Sequence, residues 1–202
     1  MKIIGVTGGV GSGKTELLHY IEKNYRCRIL LADEASHEVM QKGGRIYEPL
    51  VALLGSSVLD SSGEINRKEM AARIFSQEEL LGRVNALIHP AVREYILEAV
   101  AEEREKAAAG AADAVDYFFL EAALLIECGY RFVVDEMWYI YCDLAVRRER
   151  LKKSRGYSDG KIDSILSSQL TEAEFRSGSD VVIDNSGNLE DAYRQIREAL
   201  AS

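Results

Sequence analysis

The stretch "GVTGGVGSGKTELL", residues 5–18, sets five glycines and a lysine between two apolar runs. Glycine at a handover from strand to helix costs backbone entropy, so something there needs the backbone bare and closely approachable. Upstream, Ile3, Ile4 and Val6 read as a short buried strand over residues 2–7. Downstream, Leu17, Leu18, Ile21 and Tyr25 keep helical spacing from near Lys14, and "CRILLA", residues 27–32, reads as a second strand. Strand, glycine turn, helix and strand make a βαβ unit, which calls for a parallel sheet.

Gly8, four residues, then Gly13, Lys14 and Thr15 match the pattern G-x-x-x-x-G-K-[ST] in full. Along Gly8, Gly9, Val10, Gly11, Ser12 and Gly13 the curled backbone can aim successive N–H groups into one anion-sized concavity. The helix that follows adds the partial positive charge of its N-terminus. Lys14 can reach the β- and γ-phosphates of a nucleoside triphosphate, and the Thr15 hydroxyl can ligate Mg2+. ATP with magnesium is therefore the expected small-molecule partner.

The rest of the chain frames that loop. A net charge of −8 disfavours a general nucleic-acid or anionic-membrane binder, so positive charge must be local. No apolar run approaches a membrane span or a secretory h-region, and a cytoplasmic protein is expected. Cys27, Cys128 and Cys142 form no CxxC pair and read as small core residues. Further strands are expected at "VDYFFLEA" (115–122), "MWYIYC" (137–142) and "DVVIDN" (180–185). Between residues 33 and about 112 the patterns are mainly helical. One helix ends at Gly55, one lies near Lys68–Phe75, and one runs from Glu78 to Ile88. Pro90 is expected to open a separate next helix. Helices are also expected over most of 144–154, 158–170 and 189–200.

Two features go beyond binding. Asp33 stands at the carboxyl end of the second strand, where ligands of open parallel sheets bind. It can be a general base for an attacking hydroxyl, or simply the N-cap of the next helix. The segment "VRRERLKKSRGY" carries Arg147, Arg148, Arg150, Lys152, Lys153 and Arg155 against one acid, Glu149. Phosphoryl transfer needs charge neutralisation, which suits a basic lid over a triphosphate. Lys152 and Lys153 read better as a solvated face.

"TGGVGSGK", Asp33, "GEINRKEMAARIF", "LIHP", "LLIECGY", "RLKKSRGY" with Gln169 downstream, and "DVVIDN" follow in an order that resembles the dephospho-coenzyme A kinases over nearly the whole chain. The resemblance implies an α/β P-loop NTPase fold with a five-stranded parallel sheet, a helical insertion and a lid. It implies transfer of the ATP γ-phosphate to the ribose 3′-hydroxyl of dephospho-coenzyme A. It divides one kinase domain into a nucleotide-binding core (1–34, 113–143 and 179–202), a helical acceptor-binding insertion (35–112) and a lid (144–178). Asp33 matches the general base, with Lys14 as its catalytic companion on the phosphates, and Gly11 to Glu16 match the ATP-binding segment. Arg67 and His89 match the acceptor side, Arg147, Arg150 and Arg155 the lid, and Asn185 a position near the adenine. The alternatives are that His89 caps or orients a helix before Pro90, and that Asn185 forms a turn. Leu31, Ala123 and Glu16 depart from the family pattern, and Glu121 is a candidate to hold a magnesium-bound water. The oligomeric state is not legible.

Overall fold

A computed structural model describes residues 1–75 and 77–201. Its first compact unit joins Met1–Ile29 to Lys106–Ser202, and its second is Leu30–Glu105.

In the first unit, β1 (Lys2–Thr7) is flanked by β3 (Tyr117–Glu121) and β4 (Glu136–Tyr141). With β2 (Cys27–Leu31) and β5 (Val181–Asp184) they form a five-stranded sheet of order β2-β3-β1-β4-β5. The β1–β3, β1–β4 and β4–β5 pairs are parallel. Ile3, Ile4, Val6, Phe118, Phe119, Leu120, Met137, Trp138, Tyr139 and Ile140 are all buried. Such unbroken apolar runs belong to strands covered on both faces. Helices α1 (Lys14–Asn24), α6 (Leu144–Arg155) and α9 (Leu189–Ala201) supply part of that cover through Leu17, Ile21, Leu151 and Ile196. The register pairs Val6 with Glu121, which brings the last residue of β3 beside the end of β1.

The second unit is helical. Helices α2 (Ala32–Met40), α3 (Tyr47–Leu54), α4 (Arg67–Ile74) and most of α5 (Glu78–Ala108) bury Val39, Met40, Leu50, Leu54, Met70, Val92 and Ile96 together. Gly55 follows α3 with φ 78, a conformation that suits glycine and stops the helix. Asn66 caps α4, its side chain accepting from the N–H groups of Lys68 and Glu69.

One expectation fails here. The helices foreseen on either side of Pro90 are a single helix of 31 residues with the proline inside it. Pro90 removes the N–H that would bond the Ala86 carbonyl, but both residues are exposed and water can serve that carbonyl. The buried stripe Val84, Ala91, Val92, Ile96, Ala99, Val100 continues through the proline, so packing outweighs the local break.

Past α6 come α7 (Asp159–Ser167) and the unforeseen α8 (Glu172–Ser177). Helix α8 starts with a reciprocal capping box between Thr171 and Glu174. It docks by stacking Phe175 on Tyr139, with ring centroids 4.8 Å apart. Among the described residues no helix is long and apolar enough to cross a membrane, and the three cysteines are free.

Candidate phosphate-binding site

The loop between β1 and α1 takes the curled form that the glycines suggested, with Gly8, Gly11 and Gly13 at positive φ. Close approach matters as much as conformation. A Cβ on Gly9 would overlap the Arg147 guanidinium, and one on Gly13 would overlap the Asn185 amide. The bare backbone therefore admits the bracing side chains of Arg147 and Asn185.

Lys14, the first residue of α1, donates from Nζ to the Gly8 carbonyl at 2.7 Å and lies 3.6 Å from Glu121 Oε1. Burial lowers its pKa most. Glu121 pulls the other way, while the charges of Arg147 and Arg155 add to the lowering. Lys14 is thus a desolvated cation at the head of α1, held by one carbonyl and one carboxylate. Glu121, foreseen as a possible aid to magnesium, is thus engaged with the lysine. Thr15 is exposed in the first turn of α1. Glu16 is turned toward α9, accepting from the Tyr193 hydroxyl at 3.4 Å.

Helix α6 begins at its N-cap Asp143, whose side chain accepts from the Ala145 N–H, and lays two arginines against the loop. Arg147 donates from Nε to the Val10 carbonyl at 2.9 Å, and burial lowers its pKa. Arg150 donates to the Asn185 carbonyl at 2.9 Å and the Ser12 carbonyl at 3.4 Å. Asn185, past the end of β5, is buried and donates from Nδ2 to the Ser12 carbonyl at 2.8 Å. Two polar atoms behind the loop, Ser12 Oγ and Asn185 Oδ1, are buried with no partner among the described residues. Arg155, at the exposed end of α6, makes its charge felt at Lys14.

In the second unit, Asp33 is the second residue of α2 and is exposed. The N-cap position belongs to Leu31, so the capping role open to Asp33 is not the one it plays. His37 lies four residues on, hence on the same helical face, and its Nε2 contacts Arg67 Nη1. His37, Met40, Gln41, Glu64, Ile65 and Arg67 line a cleft of about 250 Å³. His89 is exposed on α5 and cannot cap a helix that runs straight through it.

Two contributors escaped the sequence reading. His37 gave a helical spacing from Asp33 but no motif. Gln169 stood in the quoted order of motifs with no role attached, yet it accepts from both Val10 and Arg147.

Residues 2–191 match a family model described as dephospho-CoA kinase. The chain is similar to a dephospho-CoA kinase of Streptococcus mutans, 34% identical over 98% of this chain and 96% of that one. A solved structure from Thermus thermophilus aligns with TM-score 0.78 and 27% identity, over 99% of this chain and 96% of that one. The dephospho-CoA kinase from Campylobacter jejuni, at 20% identity, shares the fold with TM-score 0.72 over 98% of this chain and 95% of its own.

Proposed function

The chain belongs to the dephospho-CoA kinase family, and on that premise we propose that it transfers the γ-phosphoryl group of ATP to the ribose 3′-hydroxyl of dephospho-coenzyme A, giving coenzyme A and ADP. The observation that carries the proposal is the desolvated Lys14 ammonium at the head of α1, inside a loop braced by Arg147 and Arg150.

The loop amides from Gly11 to Thr15 and the N-terminus of α1 receive the triphosphate. Its oxygens replace the Gly8 carbonyl and Glu121 as partners of Lys14. Arg147, Arg150 and Arg155 offset charge as the phosphoryl group moves, the task of preorganised cations in such transfers. Asp33 takes the proton of the 3′-hydroxyl. It is exposed, does not cap its helix and follows a strand of the same parallel sheet. Arg67 and His89 belong to the acceptor side, with the Arg67 cleft as the place where its polar groups are met. Asn185 sets the loop on which the nucleotide rests. The 144–178 segment, already bonded to the loop through Arg147, Arg150 and Gln169, serves as the lid that excludes water, so that the hydroxyl rather than solvent is phosphorylated.

Magnesium fits the residues present. Thr15 offers an exposed hydroxyl in the first helical turn, next to Lys14. That donor set suits an ion held mainly by phosphates and water. When bound, magnesium supplies neutralisation of the β- and γ-oxygens.

The test is incubation with magnesium–ATP and a panel of hydroxyl acceptors, with products read by mass. Transfer to dephospho-coenzyme A alone is expected. Brisk transfer to another acceptor in its place would reassign the substrate, and nucleotide binding without any transfer would make the protein a sensor. Asp33→Asn should keep ATP binding and lose at least ~10²-fold in turnover, the scale of a positioned base. An unchanged rate would remove Asp33 from the chemistry.

A further inference from the structure

Gln169 lies just past α7, its N–H donating to the Leu166 carbonyl at 3.3 Å. The chain around it is fixed on both sides, by buried Ile162 in α7 and by Phe175 of α8 stacked on Tyr139. From there the half-buried side chain reaches the tip of the phosphate loop. Gln169 Oε1 accepts from the Val10 N–H at 3.2 Å and from Arg147 Nη2 at 3.0 Å. Arg147 Nε closes a ring by donating to the Val10 carbonyl at 2.9 Å. Both partners of Gln169 are obligate donors, so the amide must present its oxygen to them. The guanidinium also lies over Gly9, where any side chain would displace it.

We propose that Gln169 is a positioning residue for phosphoryl transfer, its amide oxygen joining the loop tip and the Arg147 guanidinium into one preset unit. The role rests on the kinase reading given above. With that oxygen in place, Arg147 has a fixed acceptor on two of its nitrogens and cannot swing toward solvent. Without it, the half-buried Val10 N–H and one face of the guanidinium lose their partner, and ATP must order them as it binds. Preordering is worth most where charge moves, so the effect falls on turnover more than on the acceptor's KM.

Gln169→Leu tests this by steady-state transfer kinetics and by titration calorimetry with magnesium–ADP. Gln169→Leu should lower kcat by ~10-fold or more, the scale of a hydrogen bond to a charged group, weaken ADP and leave the acceptor KM nearly unchanged. Adding Gln169→Leu to Arg147→Ala should cost clearly less than Gln169→Leu costs the parent, because much of its effect acts through Arg147 and only the Val10 contact remains to be lost. Gln169→Asn, polar but too short, serves if the leucine variant does not fold. A Gln169→Leu enzyme within twofold of the parent, tighter ADP binding, or fully additive losses would each overturn the proposal. If the parent protein transfers nothing to dephospho-coenzyme A, the functional reading fails, while the ADP titrations still judge Gln169 by its nucleotide site.

Discussion

On one side of α6, Arg147 and Arg150 lie against the phosphate loop; on the other, Arg148 and Lys152 reach out to α7. The inward pair is three residues apart, the outward pair four, so each shares a helical face. Inside, Arg147 and Arg150 donate to carbonyls of Val10, Ser12 and Asn185, and Arg147 is desolvated enough for its pKa to fall. Outside, Arg148 pairs with Asp163 and Asp159, and Lys152 lies 2.7 Å from Asp159. The same side-chain chemistry thus splits by face. Cations that meet only neutral acceptors, here carbonyl and amide oxygens and the Cys142 sulfur, keep their full charge available for an incoming anion. Cations that meet carboxylates are already neutralised.

The sharpest way to break this division is Arg147→Ala. Its kcat/KM for ATP should fall by ~10²-fold or more, the scale of losing a charge that stabilises the transition state. An effect no larger than that of an outward substitution would erase the distinction. Next is the pH dependence of Lys14. Its pKa lies below the ordinary lysine value in the free protein, so the folded state binds that proton more weakly than the unfolded chain does. Stability from this residue therefore rises with pH between the depressed and the ordinary value. A bound triphosphate favours the ammonium form, so ATP binding in that alkaline window should take up a proton. Calorimetry in buffers of different ionisation enthalpy would show it, and Lys14→Met should abolish it. The smallest effects belong to the outer face. Arg148→Ala and Lys152→Ala should each change kcat/KM by less than about twofold and Tm by only a degree or two, as exposed ion pairs usually do.

How much of this was legible in advance depended on the range of the interaction. The loop, its flanking strand and helix, and the parallel sheet could be read because the conformation of Gly8 to Thr15 and the apolar runs around it are set locally. The long α5 could not, since the break at Pro90 is local and the packing of Val84 through Val100 that overrides it is tertiary. Helix α8, only six residues long, has too few turns for periodicity to speak; its Thr171–Glu174 capping box was the available signal. At the site, residue types were readable but facing was not. Arg147 and Arg148 are adjacent in sequence, and only the coordinates put one on the loop and the other on Asp163. Gln169 is farther still, since its partners lie 159 and 22 residues away. Asp33 was left between base and cap, and the helix start at Ala32 with Leu31 as its N-cap removed the second role.

The most direct measurement is a parallel titration of magnesium–ATP into the parent protein, Arg147→Ala and Arg148→Ala under one set of conditions. Affinity is expected to drop only in the first variant, with Arg148→Ala indistinguishable from the parent. Equal losses in both variants, or no heat with the parent, would contradict a triphosphate seat formed by the loop and the inner face of α6.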